Sequence, residues 1–179
     1  MTAPLTTPST PVSTTPLTPL STPLSTRLSA PPLTPRPQPL PRAHFLRFQT
    51  LTTRWIDNDV YGHLNNVVHY SLFDTAVNRM LIEAGVLDIH GGSVIGVVVH
   101  TQCHYFDSIR FPQVVQVGLR VSQLGRSSVR YELGLFADDA PLAAALGEFT
   151  HVYVDRDTRR PVDLPQALRR ALEPLSQSL

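Results

Sequence analysis

The chain has 179 residues, a formal net charge of +1 and 42% hydrophobic residues. That is enough for one domain with a buried core, and too near neutrality for the basic footprint of a nucleic-acid binder. A lone cysteine, Cys103, cannot form an internal disulfide, and no apolar run approaches the roughly 18 residues of a membrane span. A reducing, cytoplasmic setting without membrane contact is therefore expected.

Composition divides the chain near residue 43. Residues 1–43 hold 12 of the 17 prolines and three arginines (Arg27, Arg36, Arg42), with no acidic residue, Gly, Cys, Phe, Tyr or Trp. Repeated Thr-Pro-Leu units favour extended conformations and interrupt helices. Such a stretch buries too little apolar surface to offset its ordering entropy, so a disordered tail is expected over 1–43 and a folded domain over 44–179. The acid-free Ser/Thr/Arg character overlaps with that of organelle transit peptides, although the proline density argues against their amphipathic helix. The domain itself carries 12 basic and 14 acidic residues, and every basic residue of the chain is Arg.

Within the domain a first strand is predicted over Leu46 to Trp55, rich in strand formers. Asp57 to Asn66 gathers Asp, Asn, Gly and His, a turn signature. A helix is predicted from Val67 to Ala84, with Gly85 placed to cap its C-terminus. Its apolar positions cover more than half the circumference, so burial by a sheet or a partner is expected. The period then changes to two. Strands are expected over Ile95 to Phe106, around Val115 to Val121, around Val129 to Leu135, and over Phe149 to Val154. Gly125 and Asp138-Asp139 fall at hairpin turns, and Leu164 to Leu172 reads as a short closing helix. Strand, helix, then a meander of four strands gives an α+β class, with an antiparallel sheet curled around the long helix.

The run Arg54-Trp-Ile-Asp-Asn-Asp-Val-Tyr-Gly-His-Leu-Asn-Asn66 resembles the signature of hotdog-fold thioesterases of the 4-hydroxybenzoyl-CoA thioesterase-like family. Asp74, the Gly125-Arg126-Ser127-Ser128-Val129 hairpin and the Val154-to-Pro165 close extend the likeness over almost all of residues 45–172. The resemblance implies a hotdog fold with a long central helix, a homodimer or homotetramer, and an active site between subunits. It implies hydrolysis of an acyl-CoA thioester without metal or other cofactor. Asp59 matches the catalytic carboxylate, and His63 matches a histidine that some acyl-ACP thioesterases use beside it. The hairpin often lies near bound CoA, which makes Arg126 and Ser127 candidates for substrate binding, with Arg110 a weaker one. Two positions depart from the pattern. Tyr61 stands where the acyl-ACP enzymes have Asn, and His69 stands where many relatives have Tyr.

The chemistry of these residue types agrees with that assignment. A carboxylate with a reference pKa of about 3.9 is ionised at neutral pH. Asp59 in a turn before a helix could accept a proton from water or attack the carbonyl directly. Asp57 and Asp59 could also be turn formers alone. Asn65 and Asn66 read first as helix caps, with Asn66 kept as a substrate-binding candidate. His100 and His104, four apart in a strand, face one side without a third metal ligand, and Cys103 faces the other as a buried small residue. An acyl-ACP substrate and a non-catalytic acyl-CoA-binding module are the alternatives.

Overall fold

The computed structural model describes residues 37–176; the expectation of disorder for residues 1–36 lies outside them. Five strands form one antiparallel sheet: β1 (Arg47–Thr52), β2 (Val94–Tyr105), β3 (Val114–Leu124), β4 (Ser128–Ala137) and β5 (Ala145–Asp155). Their spatial order is β1-β3-β4-β5-β2. Helix α1 (Asn66–Glu83) packs on one face, and α2 (Gln166–Leu172) closes the chain. The expected elements are present within a few residues, and the class is α+β.

The order of β2 corrects the expected meander. Only β3, β4 and β5 follow one another in space, while β2 pairs with β5 at the far edge and β1 takes the place beside β3. Alternation tells which face a side chain occupies and carries no information about the neighbouring strand. The link from β2 to β3 crosses the end of the sheet, where Phe106 and Asp107 both donate their backbone N–H to Ala144 O.

Asn65 starts α1, its side chain accepting from Val67 N–H at 3.2 Å. Gly85, at φ +67°, ends it: Gly85 N–H donates to Ile82 O and Val86 N–H reaches back to Leu81 O. That paired closure needs a left-handed residue, which glycine supplies without steric cost. Leu72, Phe73, Ala76, Val77, Met80 and Leu81 bury one face of α1 in the core, against Val117, Leu119, Tyr131 and Leu133 of the sheet. Phe73 sits so close to Gly147 of β5 that a Cβ there would lie 2.5 Å from its ring. The opposite face of α1, with Val67, Asp74, Thr75 and Ile82, stays exposed.

Contacts with the folded domain begin ahead of residue 43. Residues 40–42 lie along the 141–143 segment, with Ala143 N–H donating to Leu40 O and Arg42 N–H to Pro141 O. The Arg42 guanidinium donates to Gln116 Oε1, Asp138 O and Ala140 O and stacks 4.8 Å from the Phe136 ring centre. Proline-rich composition does not prevent an extended segment from lying at a sheet margin when its neighbours supply donors and carbonyls. Among the described residues no helix is long and apolar enough to cross a membrane.

Candidate active site

The segment joining β1 to α1 is held by its first carboxylate. Asp57 is 3% exposed and accepts from Arg54 N–H at 2.7 Å, from Arg54 Nη2 at 2.7 Å and from Arg54 Nε at 3.0 Å. These bonds hold its pKa below the ordinary carboxylate value despite burial. Its backbone oxygen accepts from Asn65 N–H. Leu64 N–H donates to Ile109 O, and Phe111 N–H donates to Asn58 Oδ1. The segment is thus pinned between the start of α1 and the β2–β3 connection.

Asp59 sits at the centre of this segment. Its Oδ1 accepts from Tyr61 N–H at 2.8 Å and from His63 N–H at 3.2 Å. Its backbone N–H donates to His63 O at 2.7 Å. Oδ2 has no partner among the described residues. Two amides therefore fix the orientation of the carboxylate while one oxygen stays available. Asp59 thus closes the turn through one oxygen and presents the other, whereas Asp57 is occupied by its bonds to Arg54.

A cleft of about 270 Å³ opens here, lined by Asp59, His63, Asn66, His69, Tyr105 and Asp107. It lies at the N-terminal end of α1, where unpaired helix amides carry partial positive charge. Such charge stabilises a developing oxyanion. Asn65 is the helix cap; Asn66 begins the helix and lines the cleft, so the capping expected of both belongs to Asn65 alone. His69 is 4% exposed and its Nδ1 lies 3.2 Å from Asn65 O. Its ring meets Tyr105 edge-on at 5.0 Å. Burial pushes its pKa below the ordinary 6.5. Burial, with Cys103 and Tyr70 nearby, raises the Tyr105 phenol.

Sequence reasoning missed Tyr105 and Asp107 as site residues. They lie at the end of a predicted strand and just after it, and the bonds from Leu64 N–H to Ile109 O and from Phe111 N–H to Asn58 Oδ1 tie the connection that follows them to the motif loop.

Arg126 and Ser127 stand elsewhere in the chain. Arg126 is exposed, with Nη1 3.5 Å from Asp163 Oδ1, and Ser127 O accepts from Tyr153 N–H. Their hairpin adjoins the Val94 end of β2, through Ser128↔Val152 and Val97↔Val152, while the Asp59 cleft adjoins the Tyr105 end. Roughly 30 Å of strand separates the two groups at about 3.3 Å per residue. Arg110 follows the cleft-lining Ile109 and is exposed.

A second cleft, of about 300 Å³, lies at the hairpin end among Leu81, Ile82, Leu87, Ile95, His151 and Tyr153. Cys103 is half-buried, and burial raises its thiol pKa. His100 points toward Glu148 at 3.7 Å, and His104 lines a separate groove with Glu132 and Glu148.

The sheet order and the long helix α1 packed on the sheet define a hotdog thioesterase-like fold. Residues 52–172 match the model of the Thioesterase-like superfamily, and the chain belongs to that superfamily. It is similar to the crystal structure of the PA5185 protein of Pseudomonas aeruginosa PAO1, with 54% identity over 79% of this chain and 99% of that one and a TM-score of 0.77. Two distant structures share the fold. Slr0204 of Synechocystis, a 1,4-dihydroxy-2-naphthoyl-CoA thioesterase, has 16% identity over 73% of this chain and 98% of that one, with a TM-score of 0.66. SAV2348 of Staphylococcus aureus, solved in complex with CoA, has 18% identity over 74% and 86%, with a TM-score of 0.67. No curated protein matches the chain.

Proposed function

We propose that the protein is an acyl-CoA thioesterase that releases free acid and CoA at a site formed between two copies of the chain. The observation that carries this reading is Asp59, oriented by two backbone amides with its second oxygen free, in a cleft at the N-terminus of α1. In the direct route Asp59 assists water as it attacks the thioester carbon. In the covalent route Asp59 attacks first, the C–S bond breaks to give an anhydride, and water then opens the anhydride. In both, the helix N-terminus stabilises the oxyanion. His63, the second candidate catalytic residue, and Asn66, the candidate substrate ligand, line the same cleft. The CoA bound to SAV2348 and the CoA thioester named for Slr0204 support a CoA ligand on this fold.

The edge of β2, unpaired among the described residues, supports a two-chain site. Its outer edge runs twelve residues with Val97, Val98 and Val99 exposed, a length of free backbone that natural sheets rarely leave open. Antiparallel pairing of two β2 edges along their full length sets Val94 of one copy opposite Tyr105 of the other. Arg126 and Ser127 of a second copy then come beside the Asp59 cleft, where Arg126 meets the CoA phosphates through charge-assisted hydrogen bonds. The curved sheets wrap two central helices whose exposed faces are turned toward each other. A cytoplasmic setting accompanies this reading.

The test is thiol release from short, long and aromatic acyl-CoAs. Turnover of at least one class is expected. Binding of acyl-CoA without any turnover would replace the enzyme with a binding module, and turnover of acyl-ACP alone would change the carrier.

A further inference from the structure

The cleft holds a second group suited to moving a proton. The Asn65 carbonyl can only accept, so the contact at 3.2 Å fixes the hydrogen of neutral His69 on Nδ1. The lone pair is then on Nε2, which has no partner among the described residues. The ring lines the same cleft as Asp59, and contact with Tyr105 holds its plane. Burial favours the neutral form at pH 7. The titratable groups that share its cleft are Asp59 and His63 from the motif loop, Tyr105 from β2 and Asp107 after it. A base poised near the working pH accepts a proton from water effectively.

We propose that His69 is a catalytic residue of this site, the general base that deprotonates the attacking water through Nε2. The inference rests on the thioesterase reading above. As the water oxygen bonds to the acyl carbon, its proton passes to Nε2 and the carbonyl electron pair moves to oxygen. The Nδ1 hydrogen bond to Asn65 O steadies the imidazolium. When the C–S bond breaks, its electron pair leaves on sulfur, and Nε2 returns the proton to the thiolate. In the direct route Asp59 Oδ2 holds the water and offsets the imidazolium charge; in the covalent route the thiolate leaves first and is protonated by solvent, and water then opens the Asp59 anhydride, its proton passing to Nε2 and from there to solvent as the carboxylate of Asp59 is restored.

Two measurements test it. The first is the pH dependence of kcat/KM, with separate kcat and KM, for wild type and His69→Gln on the best acyl-CoA of the panel. Wild type is expected to lose activity on the acid side with an apparent pKa below 6.5. In His69→Gln kcat is expected to fall roughly 100-fold or more, with little change in KM and with the wild-type acid limb displaced to lower pH. The second is the nitrogen-15 spectrum of the histidines in the full-length wild type, expected to show His69 neutral and protonated on Nδ1 at pH 7. A folded His69→Gln that keeps both its rate and its acid limb overturns the role of His69 alone, as does an Nε2–H tautomer at pH 7. A wild type that hydrolyses no thioester overturns the thioesterase reading and the role of His69 with it.

Discussion

Asp57 and Asp59 are two residues apart, and the chain gives them opposite surroundings. Asp57 is buried in a fork of Arg54 bonds, so losing its charge unpins the loop. Asp57→Asn is expected to cost about 1–3 kcal/mol in urea unfolding, while Asp59→Asn, which keeps an acceptor for the two amides, should shift stability by less than about 0.5 kcal/mol. Equal costs would mean that the two carboxylates share one structural task. His151 carries a different consequence. It is 4% exposed, and its Nε2 is buried without a partner among the described residues. Burial lowers its pKa, outweighing the nearby Asp74 charge. Above the unfolded value of about 6.5 both states are neutral. As pH falls below that value the unfolded chain takes up a proton that the folded chain resists, so stability is lost on the acid side. His69 acts in the same direction. His151→Phe is therefore expected to flatten the fall in Tm between pH 7 and 5; an unchanged fall would assign it to other groups.

At the scale of elements, local chemistry wrote most of the fold plainly. Asn65 and Gly85 mark the ends of α1, and the alternation in β3 and β4 assigns their buried faces. The motif loop was legible because its residues are contiguous. The place of β2 was not, because its ladder with β5 joins residues roughly 40 to 60 positions apart, which alternation within either strand does not encode. Nor was the joining of Tyr105 and Asp107 to the cleft, for the same reason. The boundary at residue 43 followed composition, which is blind to Arg42 and its three side-chain acceptors. Removing residues 1–43 is accordingly expected to lower Tm by several degrees relative to removing only 1–36, at roughly 4–8 °C per kcal/mol for a small domain. Equal melting of the two truncated proteins would show that the Arg42 contacts contribute nothing.

At the scale of the whole molecule, one chain holds Asp59 and Arg126 at opposite ends of its sheet, and in the proposed dimer a second copy would bring the two kinds of residue together. Val99 is 60% exposed and lies at the middle of β2, where a two-fold axis would set it near its own counterpart. Val99→Glu would place like charges there. Light scattering is expected to show a homodimer or homotetramer for wild type and a shift toward monomer for this variant, with loss of turnover. Full activity in a monomer would show that each chain carries a complete site.

The most direct measurement is thiol release from the best acyl-CoA by wild type and by Asp59→Asn, with folding checked by circular dichroism. Wild-type hydrolysis that falls roughly 100-fold or more in a folded Asp59→Asn is the expected result. A folded variant that hydrolyses the thioester as fast as wild type would contradict the assignment of Asp59 to the centre of the reaction.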